Sequence, residues 1–333
     1  MPKVSPRELV SAVLDAVQQS GWTGGLLSRV NENPRRFVVQ EPTGEPREIW
    51  VYIWTLTPGG RPDRRTEYRI QRTGVTSPLP LNQDGLTLML GYYPDLDMFA
   101  GFDVSRKRQF SPGSPSAYID ISAIHQGLQH GLAFNPDNDG VIAIGVRPDQ
   151  FMNYALNAEA LHREGADASM LPVLSRAASL EPIAAAELEA LPAERRRVVQ
   201  TISRLSREAS FRQQVINAYG SRCAVTRTQL RLVDAAHILP VGAPGSIDHV
   251  TNGIALSPTY HRAFDNGLIF LAEDFTMRIN PAKVVTLDTM RLTQGLEAFS
   301  SPLGRIHLPA DTHQRPLIRL IRQANKYRLI PAI

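Results

Sequence analysis

The sequence predicts an α+β fold in two domains. The N-terminal one is a mostly antiparallel sheet domain with helices, and the C-terminal one is built on two strands and a helix, with flanking helices. Three observations carry this. At 333 residues and 43% hydrophobic, the chain can bury a full core and is long enough for two domains. Short apolar or alternating runs, rich in Val, Ile, Tyr and Trp and punctuated by Gly, Pro and Asp, fill the first half. Beyond residue 195 helical spacing replaces that pattern.

In chain order, "SPRELVSAVLDAVQQSG" predicts a capped amphipathic helix, with Ser5 as N-cap and Gly21 at its end. "RRFVVQEP", "REIWVYIWTLTPGG", "TEYRIQRTG", "LTLMLGYYPD", "MFAGFDV", "SAYIDISA" and "GVIAIGVRP" predict strands. "PDQFMNYALNAEALHREG" predicts a closing helix, which sets residues 1–162 as the first domain. The Ala-, Glu- and Pro-rich stretch 163–194 predicts a linker with helical pieces. Residues 195–333 form the second domain. There Val198, Ile202, Leu205, Phe211, Val215 and Ile216 recur at helical spacing up to Gly220, and "HQRPLIRLIRQANKYRLI" predicts a last basic helix.

The net charge is only +4, but the cations are unevenly placed. Nine arginines and one acidic residue, Glu208, lie between Arg195 and Arg231. Such a block suits a polyanionic partner. No apolar run approaches the ~20 residues that span a membrane. The N-terminus lacks a signal peptide's apolar core, so the expected location is cytoplasmic. The single cysteine, Cys223, excludes an intrachain disulfide and the paired Cys-x-x-Cys zinc sites of many small nucleic-acid-processing domains.

One stretch concentrates chemistry: "DAAHILPVGAPGSIDHVTNGIALSPTYHRAFDNG", residues 234–267. It parses as a strand stopped by Pro240, a Gly/Pro/Asp-rich loop, a short strand "GIALS" and a helix. That helix takes Ser257 as N-cap, Pro258 at its first position and Gly267 just past its end. His261 and Asp265, four apart, project from one helix face and can grip one divalent cation. His237 would supply a neutral imidazole suited to deprotonating water. Asn252, in a turn, either pins the loop that carries His237 or helps to position the metal. Base, metal and clamp are what phosphodiester hydrolysis needs.

Taken in order, Cys223, "AAHILP", "NGIAL" and "YHRAFDNGLI" resemble an HNH endonuclease with the ββα-metal fold, over a core of about residues 205–280. The resemblance implies His237 as general base, Asn252 as the central asparagine, His261 as the final histidine and a metal ligand, and Asp265 as a further ligand. It implies hydrolysis of nucleic acid to 5′-phosphate and 3′-hydroxyl ends, with Mg²⁺, Mn²⁺ or another divalent cation stabilising the departing oxygen, and double-stranded DNA is the expected partner. Where many members carry a His or Asp directly before the base, this chain has Ala236. Asp234, two residues earlier on the same strand face, is the candidate to compensate.

Arg222, Arg227 and Arg262 are candidate phosphate contacts. Two N-terminal segments, "GGRPDRRTEYRIQRTG" and "DVSRKRQFSPGSPSAY", are basic and interleaved with aromatics, as a DNA-reading surface is. The sequence therefore predicts a restriction or antiviral-defence endonuclease whose N-terminal domain reads its target, modified DNA included. Two other readings stay open: a signal-gated non-specific nuclease whose N-terminal domain is a sensor or oligomerisation module, and a non-catalytic DNA-binding protein. One site cuts one strand, so double-strand cleavage calls for a homodimer or two sequential nicks.

Overall fold

Ser5 opens the first helix, α1 (Pro6–Gln19), with a reciprocal cap: its backbone N–H donates to the Glu8 carboxylate at 2.6 Å, and the Glu8 N–H donates back to Ser5 Oγ at 3.3 Å. This is a capping box, and it fixes where the chain enters the helix. The structure is a computed structural model that describes residues 4–41, 44–111, 113, 115–137, 140–230 and 232–330. The chain divides into two units, Met1–Ala209 and Ser210–Ile333.

In the first unit the described residues after α1 form β1 (Thr23–Leu26), β2 (Arg35–Gln40), β3 (Arg47–Thr55), β4 (Thr57–Pro58), β5 (Glu67–Gln71), β6 (Leu86–Tyr93) and β7 (Met98–Phe102). Then come α2 (Val104–Lys107), β8 (Ser116–Asp120), α3 (Ile121–His130), β9 (Leu132–Pro136), β10 (Ile142–Val146), α4 (Phe151–Gly165), α5 (Leu171–Ser179) and α6 (Ala185–Ala190). Seven of these strands make one sheet in the order β1-β2-β3-β6-β7-β10-β9. Only β3 and β6 are parallel neighbours in it. The other three, β4-β5-β8, make a small antiparallel sheet.

Side-chain alternation decides the layering. Ile49, Val51 and Ile53 of β3 and Ile142, Ile144 and Val146 of β10 enter a core shared with α1, α4 and α5. Tyr52, Met89 and Ala143, one residue out of phase, enter the opposite core, shared with α3 and the small sheet. Each fully buried Ile or Val contributes about 1.5–3 kcal/mol. With both faces covered, β7 is buried at every position, which is why its sequence reads as a continuous apolar run.

The mostly antiparallel sheet with helices agrees with the expectation, but its details exceed it. Strands β1 and β9 and helix α3 were not foreseen: "TGGL" carries two glycines and "LAFNP" is short, so neither shows a strand pattern. The stretch 163–194 is not a free linker, because Val173, Leu174, Ala177 and Ala178 of α5 belong to the first core. Packing divides the chain further on than composition does. The division lies inside one helix, α7 (Ala193–Ala218), whose Val199 and Ile202 pack into the first core and whose Phe211 and Val215 pack into the second. A reading by composition puts the boundary where the helix begins; packing puts it midway.

In the second unit β11 (Asp234–His237) pairs antiparallel with β12 (Gly253–Leu256), setting Ala236 opposite Ile254 and His237 opposite Gly253. Then follow α8 (Pro258–Asp265), β13 (Ile269–Leu271), β14 (Met277–Ile279), α9 (Pro281–Thr289), α10 (Leu296–Ser300) and α11 (Ile318–Tyr327). Ile254, Leu256, Phe264, Ile269, Leu320 and Ile321 fill the core. The first strand is shorter than "LRLVDAAHILP" suggests, because Leu230 and Leu232 stay exposed. Among the described residues no helix is long and apolar enough to cross a membrane.

Candidate active site

The hairpin and α8 carry the site, and Gly253 lets α7 close on it. A Cβ at Gly253 would run into Val215 and Phe211 of α7, so only glycine allows the strand to approach that closely. The contact puts the Phe211 ring 3.8 Å from the His237 imidazole, nearly parallel at 12°. His237 Nε2 lies 2.9 Å from Asp248 Oδ1. Burial lowers the pKa of His237 below its usual value, while the hydrogen bond and charge of Asp248 partly oppose that. The ring is therefore neutral near pH 7. With Nε2–H given to Asp248, Nδ1 keeps its lone pair and has no partner among the described residues.

Asn252 is fully buried, and its amide is committed. Oδ1 accepts from the Leu239 N–H at 2.9 Å, while Nδ2 donates to Leu239 O at 3.1 Å, Ser246 Oγ at 3.2 Å and Ile247 O at 3.0 Å. These bonds tie Asn252 to the loop between His237 and Asp248, the geometry of a clamp.

Asp234, His261 and Asp265 meet. His261 Nδ1 lies 3.7 Å from Asp234 Oδ2, and Nε2 lies 3.2 Å from Asp265 Oδ2. Burial works against charge on His261, but the hydrogen bonds and charges of Asp234 and Asp265 outweigh it and raise the imidazole to about 9. As placed, His261 is itself the cation that the two carboxylates share. Among the described residues no three His, Cys, Asp or Glu side chains surround a common point for an ion. One imidazole and two carboxylates nonetheless form a donor set suited to a divalent cation, so the residues fit the expected metal in chemistry. Asp265 and His261 also act on the charge of His237, so base and donor set share one field.

None of the candidate arginines is ion-paired with this group among the described residues; Arg222, Arg227 and Arg262 are exposed. Arg231, the last of the arginine block, lies outside the described residues. Two other arginines, not singled out by sequence, reach the site. Arg212 Nη2 lies 3.9 Å from Asp234 Oδ1. Arg328 stacks over Phe264 at 4.5 Å and donates to Ile238 O at 2.6 Å. Asp248 was also missed. Its only sequence signal is a carboxylate in the turn-rich loop that follows the base.

Comparison with known proteins follows the same division of the chain. Residues 223–272 match the family described as HNH endonuclease, and residues 47–155 match the family described as Methylase-associated X1. No curated protein matches the chain. Among solved structures, the whole chain aligns with 94% of a "Modification dependent TagI restriction endonuclease" at 15% identity and a TM-score of 0.29. The strand pair, the helix and the family match coincide on the same residues: residues 223–272 of this chain are an HNH endonuclease domain, and residues 47–155 before it are a methylase-associated domain.

Proposed function

We propose that the protein is a restriction-type endonuclease whose N-terminal unit selects DNA by its modification state and whose HNH unit cuts it. One observation carries the cleavage half: His237, oriented by Asp248 and stacked on Phe211, lies beside a histidine held between two carboxylates. The methylase-associated match over residues 47–155 supports selection among methylated or otherwise modified sites. The functional division we assign is 1–162 for selection and 195–333 for cleavage.

His237 Nδ1 takes a proton from the attacking water, and Asp248 holds the ring in the tautomer that can do so. Asn252 keeps the base loop in place. His261, Asp265 and Asp234 are the residues that would hold a divalent cation. That ion, Mg²⁺ in our reading, supplies charge stabilisation on the phosphate and the leaving oxygen. Arg222, Arg227 and Arg262 are assigned to the DNA backbone. Cutting both strands takes two copies of the chain or two successive nicks, and we favour a cytoplasmic enzyme of antiviral defence.

The test is cleavage of unmodified, methylated and hydroxymethylated plasmid with Mg²⁺, Mn²⁺ or EDTA, beside His237→Ala. Metal-dependent cutting of modified plasmid alone, lost in the variant, is the expected result. Equal smearing of every plasmid would sink the selective half of the reading and leave the nuclease.

A further inference from the structure

The two basic segments that the sequence sets far apart become one surface. Strand β5 pairs with β8 so that Arg69 lies opposite Tyr118. Their neighbours Ile70, Ala117 and Ile119 are core residues, so alternation turns Arg69 and Tyr118 to the outer face of the small sheet. Beneath them, buried Arg72 ties the segments together. It donates to Pro115 O at 2.7 Å, Ser116 O at 3.0 Å and Lys107 O, and it stacks on Phe110 at 4.3 Å.

Residues 61–72 and 103–120 together hold eight cationic side chains against four carboxylates, Asp63, Glu67, Asp103 and Asp120. Glu67 pairs with Arg61 at 3.0 Å and with Arg64 at 3.1 Å, and Lys107 pairs with Asp137 at 2.7 Å. Among the described residues Arg65, Arg69, Arg106 and Arg108 have no carboxylate partner. The Arg61 guanidinium lies over the Tyr118 ring at 4.4 Å, and Arg69 is the cross-strand neighbour of the same tyrosine. A solvated face usually intersperses both signs. Here like charges crowd on a scaffold pinned from below, and a polyanion would relieve their repulsion. All but one of the cations are arginines, whose planar fork fits phosphate oxygens two at a time.

We propose that the outer face of β5 and β8, with α2 beside it, is the surface by which the N-terminal unit grips duplex DNA, with Arg65, Arg69 and Arg106 on backbone phosphates. The proposal rests on the reading of this unit as the target selector. Phosphate contacts hold register and orientation and leave the choice of base to other groups.

The experiment uses the full chain in EDTA, so that nothing is cut, with a fluorescein-labelled methylated duplex and its unmodified twin, read by anisotropy across a salt series. Arg65→Gln/Arg69→Gln/Arg106→Gln should weaken binding at least about tenfold near physiological salt. It should also flatten the slope of log affinity against log salt by about 2–3, since each phosphate contact contributes about 0.9. Arg7→Gln, exposed on α1 against the opposite face of the large sheet, should change neither. Arg65→Glu alone, on an exposed turn, should weaken binding several-fold and guards against a misfolded triple variant. An unchanged slope with methyl selectivity intact would leave the selector standing and overturn this face as its grip; so would an equal loss in Arg7→Gln. If the wild type binds both duplexes alike, the selector reading fails, and the proposal with it.

Discussion

The rings of His237 and Phe211 lie face to face, 3.8 Å apart, so an aromatic from α7 covers the base of the hairpin. That cover keeps water from the imidazole and lowers its pKa.

Phe211→Leu should let water reach the ring. The largest cause of the lowered pKa then shrinks, His237 titrates closer to 6.5, and the acid limb of kcat/KM moves to higher pH. Imidazole titration followed by NMR in the metal-free protein checks the same shift without turnover. A limb that stays in place would mean that Phe211 only packs.

Asp248→Asn should move that limb the other way. The carboxylate favours the charged imidazole, so its removal drops the His237 pKa further, and the limb moves to lower pH. kcat should still fall about 10- to 100-fold, because the ring loses the partner that fixes its tautomer, whereas His237→Ala should cost about 10²- to 10⁴-fold. A pH–rate profile of each variant separates orientation from proton transfer. If Asp248→Asn matches wild type in both rate and limb, the dyad has no catalytic meaning.

Asn252→Ala should cost about 2–4 kcal/mol, since it strands a buried Leu239 N–H and frees three donor contacts. Urea unfolding measures this, and the loss should appear in the transition of the second unit. A cost under about 0.5 kcal/mol would show that the loop closes without its clamp.

His261 sets a pH dependence of stability in the metal-free protein. Its folded pKa of about 9 lies above the usual 6.5, so the stabilisation is fully present below about pH 6.5 and is lost as pH rises through 9. Thermal unfolding in EDTA should therefore show Tm falling across that window. His261→Gln should flatten the fall. An equally steep fall in the variant would assign the effect elsewhere.

Much of this was legible in the sequence because local rules govern it. Ser5 and Glu8 announce the cap, the β2, β6 and β10 segments carry strand composition, and four-residue spacing puts His261 and Asp265 together. What stayed hidden depends on distant pairing. The contact of Gly253 with Val215 and Phe211 joins residues about forty apart, and nothing near position 211 marks an aromatic meant to lie on a histidine. Arg328 reaches Ile238 across ninety positions. Asp248 was in plain view, but loop carboxylates are common, and only the path of the loop shows that this one turns back. The two basic N-terminal segments were visible singly, and their union needed the β5–β8 register.

The clamp made by Asn252 has a further consequence. The orienting carboxylate Asp248 and the clamp Asn252 lie in the excursion between β11 and β12, whereas His237 and Asp234 share β11 and Asp265 sits on α8. The base thus shares its strand with one of the carboxylates, while the partner that orients it rides on the loop. On warming, the excursion should loosen before the hairpin melts, so the enzyme should fall silent while still folded and still able to hold its ion, and it should recover on cooling.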